Sequence, residues 1–318
     1  MKIVFLDSAT LGAVSLKPIE ALGNLVCYPV SSPSEALERV CDAEILIVNK
    51  IKVTAELIAS APKLKLICEA ATGVNNIDVE AARGRDIPVM NVAAYSTDSV
   101  AQITFCQILG LICDADRFDR EVKDGSYSRS GIFTDVSSPY SELNGKTMGI
   151  IGMGNIGRRV ARIAEAFGMK IVYYSTSGTS HCAEFPSLPL DELLSSADVV
   201  SVHCPLNAVT QGLIGERELG IMKSSAVIVN AARGGIIDEK ALSDAVGSGK
   251  IAGAAVDVFT TEPLPADNPL LHCTRPERLR LTPHIAWASK EALDRLVRGI
   301  AENISNYLSC IPPGSLDD

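Results

Sequence analysis

Two doubly wound parallel α/β domains are what this sequence predicts, and three observations predict them. Short apolar, β-branched runs alternate with amphipathic stretches along nearly the whole chain, the pattern of a parallel sheet with helical crossovers. The alternation comes as two series, separated by a Ser- and Gly-rich stretch at 125–146. The length, 318 residues, suits about two domains of ordinary size.

The first series reads as strands at KIVFL (2–6), ILIVN (45–49), KLIC (65–68) and PVMNV (88–92). Capped helices open near Ser34 and Thr54. One long helical segment is expected from about Asp98 to Lys123. It is apolar on several faces (Val100, Ile103, Phe105, Ile108, Leu111), which implies burial between layers or domains. Residues 125–146 read as loop. The second series supplies strands at TMGIIG (147–152), KIVYYS (170–175), DVVSVHC (198–204), AVIVNAA (226–232), AGAAVDVF (252–259) and LRLTPH (279–284). A last amphipathic helix is expected over Lys290 to Leu308.

Composition narrows the function. Hydrophobic residues make up 47% and charged residues 21%, which fits a folded globular chain. The formal charge of −9 argues against nucleic acid or an anionic membrane as the partner, since both need a basic footprint. No apolar run reaches the ~18 residues of a membrane span. The apolar run after Lys2 is too short for a signal-peptide core and reads as the first strand. Nine Cys without a C-x-x-C pair read as reduced thiols in a cytoplasmic protein. The four His (181, 203, 272, 284) have no ligand spacing, so no metal site is expected.

The most specific local signal is Gly152-Met153-Gly154-Asn155-Ile156-Gly157. It follows an apolar strand and opens a helical stretch. Gly152 allows the tight turn, Gly154 lets the backbone approach a pyrophosphate, and Gly157 lets helix and strand pack closely. The helix N-terminus then offers N–H groups to the phosphates. In this context G-x-G-x-x-G is a dinucleotide fingerprint. The acid expected about 20 residues later to hold the ribose hydroxyls is missing: Tyr173-Tyr174-Ser175-Thr176-Ser177-Gly178 has hydroxyls and neither acid nor base. Ser175 and its neighbours can serve either ribose form, so the cofactor is read as NAD or NADP with relaxed preference, NAD slightly favoured.

A nicotinamide cofactor needs a protein proton carrier and a substrate anchor. His284, in LTPHIAW, follows a strand at the sheet end where ligands bind. Glu262 in FTTEPLP and Arg233 in VNAARGG follow the two preceding strands. A titratable base, an acid and a cation thus fall at one edge of one sheet. His203 also ends a strand and is read as lining the cofactor pocket, whereas His181 and His272 are read as solvent-facing loop residues.

The motifs GMGNIG (152–157), Asn230-Ala231-Ala232-Arg233-Gly234, VDVF…EP (256–263), TPHIAW (282–287), ATGVNNID (71–78) and NVAAYST (91–97) together resemble the D-2-hydroxyacid dehydrogenase family. The likeness covers nearly the whole chain and is greatest to the glycerate dehydrogenase or hydroxypyruvate reductase branch. It implies two doubly wound domains: a flavodoxin-like substrate domain of residues 1–97 plus 287–318, and a Rossmann nucleotide-binding domain of residues 98–286 inserted in it, with substrate held in the cleft. It implies that Arg233 pairs with the substrate carboxylate, that His284 exchanges a proton with the carbonyl oxygen, and that Glu262 fixes the imidazole and keeps its charged form available. Asp257 and the Ala231 backbone would meet the nicotinamide carboxamide, and the Asn155 and Ile156 N–H groups the pyrophosphate. The Gly73 and Val74 N–H groups would hold the substrate carboxylate, and Trp287 would line the substrate pocket or pack at a contact.

The reaction implied is reduction of a small 2-oxo acid, hydroxypyruvate or glyoxylate, to D-glycerate or glycolate. Two alternatives stand beside it: the same chemistry on a bulkier 2-oxo acid, or a dinucleotide-sensing binding protein without turnover. The resemblance also implies a homodimer formed through the nucleotide domain and the 98–123 segment.

Overall fold

The computed structural model describes residues 1–179 and 182–310. The chain forms two compact units, one of residues 1–96 with the segment that starts at Ala288, the other Thr97–Trp287.

In the first unit, β1 (Lys2–Phe5), β2 (Asn24–Cys27), β3 (Ile45–Val48), β4 (Leu66–Glu69) and β5 (Val89–Met90) form a parallel sheet in the order β2-β1-β3-β4-β5. This is the flavodoxin-like order. β3 and β4 are buried along their whole length, because helices cover both faces, and so their sequences are continuous apolar runs rather than alternating ones. The crossover helices start where side-chain acceptors meet free N–H groups. Ser32 caps helix Pro33–Arg39 in a capping box with Glu35, and Thr54 caps Ala55–Ala59. The helix Lys290–Ser309 returns to this unit and packs on β4. There Gly299 admits Val92, whose Cγ1 would lie 2.5 Å from a Cβ at that position.

In the second unit, β6 (Thr147–Ile151), β7 (Lys170–Tyr174), β8 (Val199–Val202), β9 (Val227–Asn230), β10 (Gly253–Val256) and β11 (Leu279–Leu281) form a parallel sheet in the order β11-β10-β9-β8-β6-β7. A single parallel bridge joins Ser187 to Tyr173 on the outer side of β7. Counting it as a vestigial third strand gives the Rossmann order 3-2-1-4-5-6, extended by one strand. The order reverses between β6 and β8, so the crevice for a ligand opens at the carboxyl ends of those two strands.

Three features depart from the sequence reading. β2 has no counterpart in it, because a four-residue edge strand with mixed exposure carries too little periodicity to stand out. The single helix expected over 98–123 is two, Thr97–Cys113 and Ala115–Lys123, broken at Asp114 with φ +50°, a left-handed conformation that ends an α-helix. The loop expected at 125–146 contains a short helix, Ser126–Ser130. The first of the two long-segment helices packs on β9, β10 and the helix Asn155–Ala166. No helix among the described residues is long and apolar enough to cross a membrane.

Candidate active site

The glycine turn sits at the reversal point. Gly152, just past β6, has φ +95°, and a Cβ there would lie 2.7 Å from the Cys204 nitrogen at the end of β8. Only glycine lets the two strand ends touch. A Cβ at Gly157 would lie 2.3 Å from the Gly152 carbonyl oxygen, so helix and strand could not pack with any other residue. A Cβ at Gly154 would meet nothing within 4 Å, which leaves the backbone open to a ligand. Gly154 caps the helix Asn155–Ala166 with no side-chain bond. Asn155 and Ile156 begin that helix, where N–H groups have no intrahelical partner and the dipole favours an anion.

Two strand ends flank the turn. Ser175, after β7, donates to the Thr179 carbonyl at 2.6 Å and lies 3.1 Å from the Ser177 hydroxyl. Arg158, in the first turn of the helix after Gly157, reaches the same loop, with Nη1 3.1 Å from Cys182 Sγ. It arrives from the neighbouring helix, so the residues of the loop itself carry no sign of it. His203, after β8, bonds the Ser201 hydroxyl through Nε2 at 2.7 Å. Part of the residue reaches solvent, but its Nδ1 is buried without a partner. Burial pushes this imidazole down to about 3, so it is neutral beside the turn. Burial likewise pushes the Cys204 thiol up to about 11, and it stays protonated.

The other residues lie on β9, β10 and β11, adjacent in the sheet. Arg233 follows β9. Its Nη1 donates to the Ala232 carbonyl at 2.8 Å, and no described carboxylate forms an ion pair with it. Gly234 brings its loop against the next: a Cβ there would lie 2.0 Å from the Phe259 carbonyl carbon. Glu262, past β10, accepts from the Phe259 N–H through Oε1 at 2.9 Å. Its Oε2 lies 2.7 Å from His284 Nδ1. Imidazole and carboxylate are both partly exposed, 21% and 32%, so the ring is held at one nitrogen and reachable at the other.

His284 itself has φ +53°, a conformation that costs a non-glycine residue about 1–2 kcal/mol. Asp257, buried at the end of β10, holds it there. The Asp257 carbonyl accepts the His284 N–H at 2.8 Å. Its carboxylate accepts the Ile285 N–H at 3.0 Å and the Ala286 N–H at 2.9 Å. Ala231 and Ala286 pack with Val100, and Ile156 and Trp287 close the same cluster. Trp287 thus packs beside the glycine turn.

Gly73 and Val74 lie in the first unit, on the turn after β4, both partly buried. His272 is exposed in the turn Pro269–His272. His181 lies outside the described residues.

The turn fits a nicotinamide dinucleotide. It has an open backbone at Gly154, free helix N–H groups, and an unpartnered buried nitrogen on His203 at the same strand ends. Beside it stand a paired imidazole and a guanidinium free of carboxylates, the equipment for proton transfer and anion binding. Fold and site define a dinucleotide-dependent oxidoreductase.

Residues 105–286 match the family described as D-isomer specific 2-hydroxyacid dehydrogenase, NAD binding domain. The chain is 36% identical over 98% of its length, and 98% of the relative's, to a hydroxypyruvate reductase of Blautia hydrogenotrophica. Among solved structures it is similar to a D-lactate dehydrogenase of Aquifex aeolicus complexed with NAD and lactic acid (29% identity, TM-score 0.83, 97% and 96% of the two chains). It is also similar to an NADPH-dependent glyoxylate/hydroxypyruvate reductase of Sinorhizobium meliloti in complex with NADP and malonate (27%, TM-score 0.83, 97% and 94%). The chain belongs to the D-isomer specific 2-hydroxyacid dehydrogenase family, whose enzymes use NAD or NADP.

Proposed function

We propose that this enzyme reduces hydroxypyruvate or glyoxylate to D-glycerate or glycolate. The observation that carries the reading is the 2.7 Å pair of His284 Nδ1 and Glu262 Oε2, one strand end away from a guanidinium without a carboxylate partner. Gly152, Gly154, Gly157 and the Asn155 and Ile156 N–H groups would hold the dinucleotide, which when bound would supply the hydride to C2. Ser175 and His203 would line its binding site, and the Ala231 backbone and Asp257 Oδ2, which takes only the Ala286 N–H, would hold its carboxamide.

Arg233 binds the substrate carboxylate through its planar fork. His284, with Nδ1 committed to Glu262, gives its Nε2 proton to the carbonyl oxygen as C2 becomes tetrahedral. The neutral imidazole left behind regains a proton from solvent, and in oxidation the same ring accepts the hydroxyl proton. Trp287 narrows the pocket toward short acids. The hydroxypyruvate reductase name of the 36% identical relative supports this substrate class. The test is dinucleotide oxidation with hydroxypyruvate, glyoxylate, pyruvate and branched 2-oxo acids. The highest kcat/KM is expected for hydroxypyruvate or glyoxylate, and a maximum on a branched acid overturns the substrate.

Both dinucleotides are expected to work, NAD slightly better. A preference of ~1000-fold either way, about 4 kcal/mol, overturns that. A homodimer fits the exposed apolar side chains Val122, Ile132, Phe133, Val136 and Tyr140, at 58, 60, 92, 70 and 62%, since a monomer rarely leaves such a stretch in water. Light scattering after gel filtration checks it. A reducing, cytoplasmic setting fits nine unbonded cysteines.

A further inference from the structure

The turn that carries His284 is held from behind by the helix Thr97–Cys113. Ser99 donates to the Ala286 carbonyl at 2.6 Å, at one end of the turn. Two helical turns on, buried Gln107 lies 3.3 Å through Nε2 from the Thr282 hydroxyl oxygen, at the other end. Thr282 in turn donates to Asp257 Oδ1 at 2.6 Å. On its far side Gln107 accepts from Arg280 Nε through Oε1 at 3.0 Å, and Arg280 pairs with Asp116 at 2.5 Å. Gly110, on the same helix, makes room for the guanidinium: a Cβ there would lie 2.7 Å from Arg280 Cζ.

The chemistry gives this chain one direction. A guanidinium only donates, so the amide oxygen of Gln107 must face Arg280. Its NH2 must then face Thr282. A hydroxyl that receives that N–H points its own proton at Asp257, and a carboxylate only accepts. Cation and anion stand at opposite ends, so each bond polarises the next.

We infer that Arg280, Gln107 and Thr282 form a positioning relay that fixes the Asp257 carboxylate and, through it, the left-handed turn presenting His284 to substrate. None of the three touches the reacting atoms. The inference rests on His284 being the proton carrier.

Gln107→Glu separates the relay from simple packing. Glutamate keeps the shape and the Arg280 partner but cannot donate to Thr282, whose hydroxyl then turns from Asp257 to the introduced carboxylate. Thr282→Val removes the hydroxyl and Thr282→Ser returns it. Full-length variants are compared for kcat, both KM values and melting temperature, with NADH and hydroxypyruvate. Gln107→Glu and Thr282→Val are expected to lower kcat about 10-fold or more, since a displaced catalytic group costs up to ~100-fold, with a smaller rise in the dinucleotide KM because Asp257 also faces the carboxamide. Thr282→Ser is expected to recover most of kcat. Gln107→Glu with wild-type kcat overturns the relay, as does Thr282→Ser falling with Thr282→Val. Where Thr282→Val does not fold, Gln107→Glu decides alone. His284→Ala run alongside keeps the two readings apart. Turnover surviving there removes His284 as proton carrier, whereas its loss beside an unimpaired Gln107→Glu removes only the relay.

Discussion

The glycine turn at 152–157 and the histidine turn at 282–286 solve the same problem, an unusual backbone at a strand end, in opposite ways. The first is local. Gly152 takes φ +95° at no steric cost, and the contacts that require glycine come from its own strand and helix and from one neighbouring strand end. The second places a histidine at φ +53° and holds it with bonds from Asp257, on the preceding strand, and from Ser99, 187 residues from Ala286. A backbone made by composition shows in the sequence. A backbone imposed by tertiary bonds does not, although the proposed proton carrier sits on it.

The contrast can be broken experimentally, most strongly at His284. His284→Ala is expected to lower kcat by ~100-fold or more, while dinucleotide binding is kept. Near-normal turnover would leave the second turn without a catalytic purpose. Arg233→Ala is expected to lower kcat/KM for the oxo acid about 10- to 100-fold, from the loss of charge-assisted bonds worth roughly 1.5–3 kcal/mol. An unchanged value would take Arg233 out of the site.

Gly157→Ala addresses the local turn. Its Cβ would sit 2.3 Å from the Gly152 oxygen, and relieving such overpacking costs about 1–3 kcal/mol. Dinucleotide affinity measured by titration should fall about 5-fold or more, with kcat at saturation little changed. Wild-type affinity would show that the turn does not depend on glycine.

The smallest effect on turnover concerns His203, whose role is read in stability. Its folded value of about 3 lies below the ordinary 6.5. Above about pH 6.5 neither folded nor unfolded chain protonates it. Below that pH the unfolded chain binds a proton that the folded chain does not, so stability falls toward about pH 3 by up to about 1.4 kcal/mol per unit. His203→Asn should flatten that part of the urea-midpoint curve against pH, and an identical slope would mean the imidazole protonates in place.

Residue order and type were enough to settle every strand of both sheets except β2, because helices on both faces force continuous apolar runs. They settled the glycine turn, because close backbone approach admits only one residue type. They also put Arg233, Glu262 and His284 on three successive strand ends, because in a parallel sheet chain order sets which residues share the carboxyl edge. The remainder came from packing across the fold. Edge strand β2 forms because β1 offers it a partner. Asp114 breaks the long helix although its residue type does not demand a stop. Arg158 reaches the Cys182 loop from another element, and Asp257 turns three acceptor bonds on the segment after β11. These depend on which distant donor meets which acceptor, and only the folded chain brings such pairs within hydrogen-bond reach.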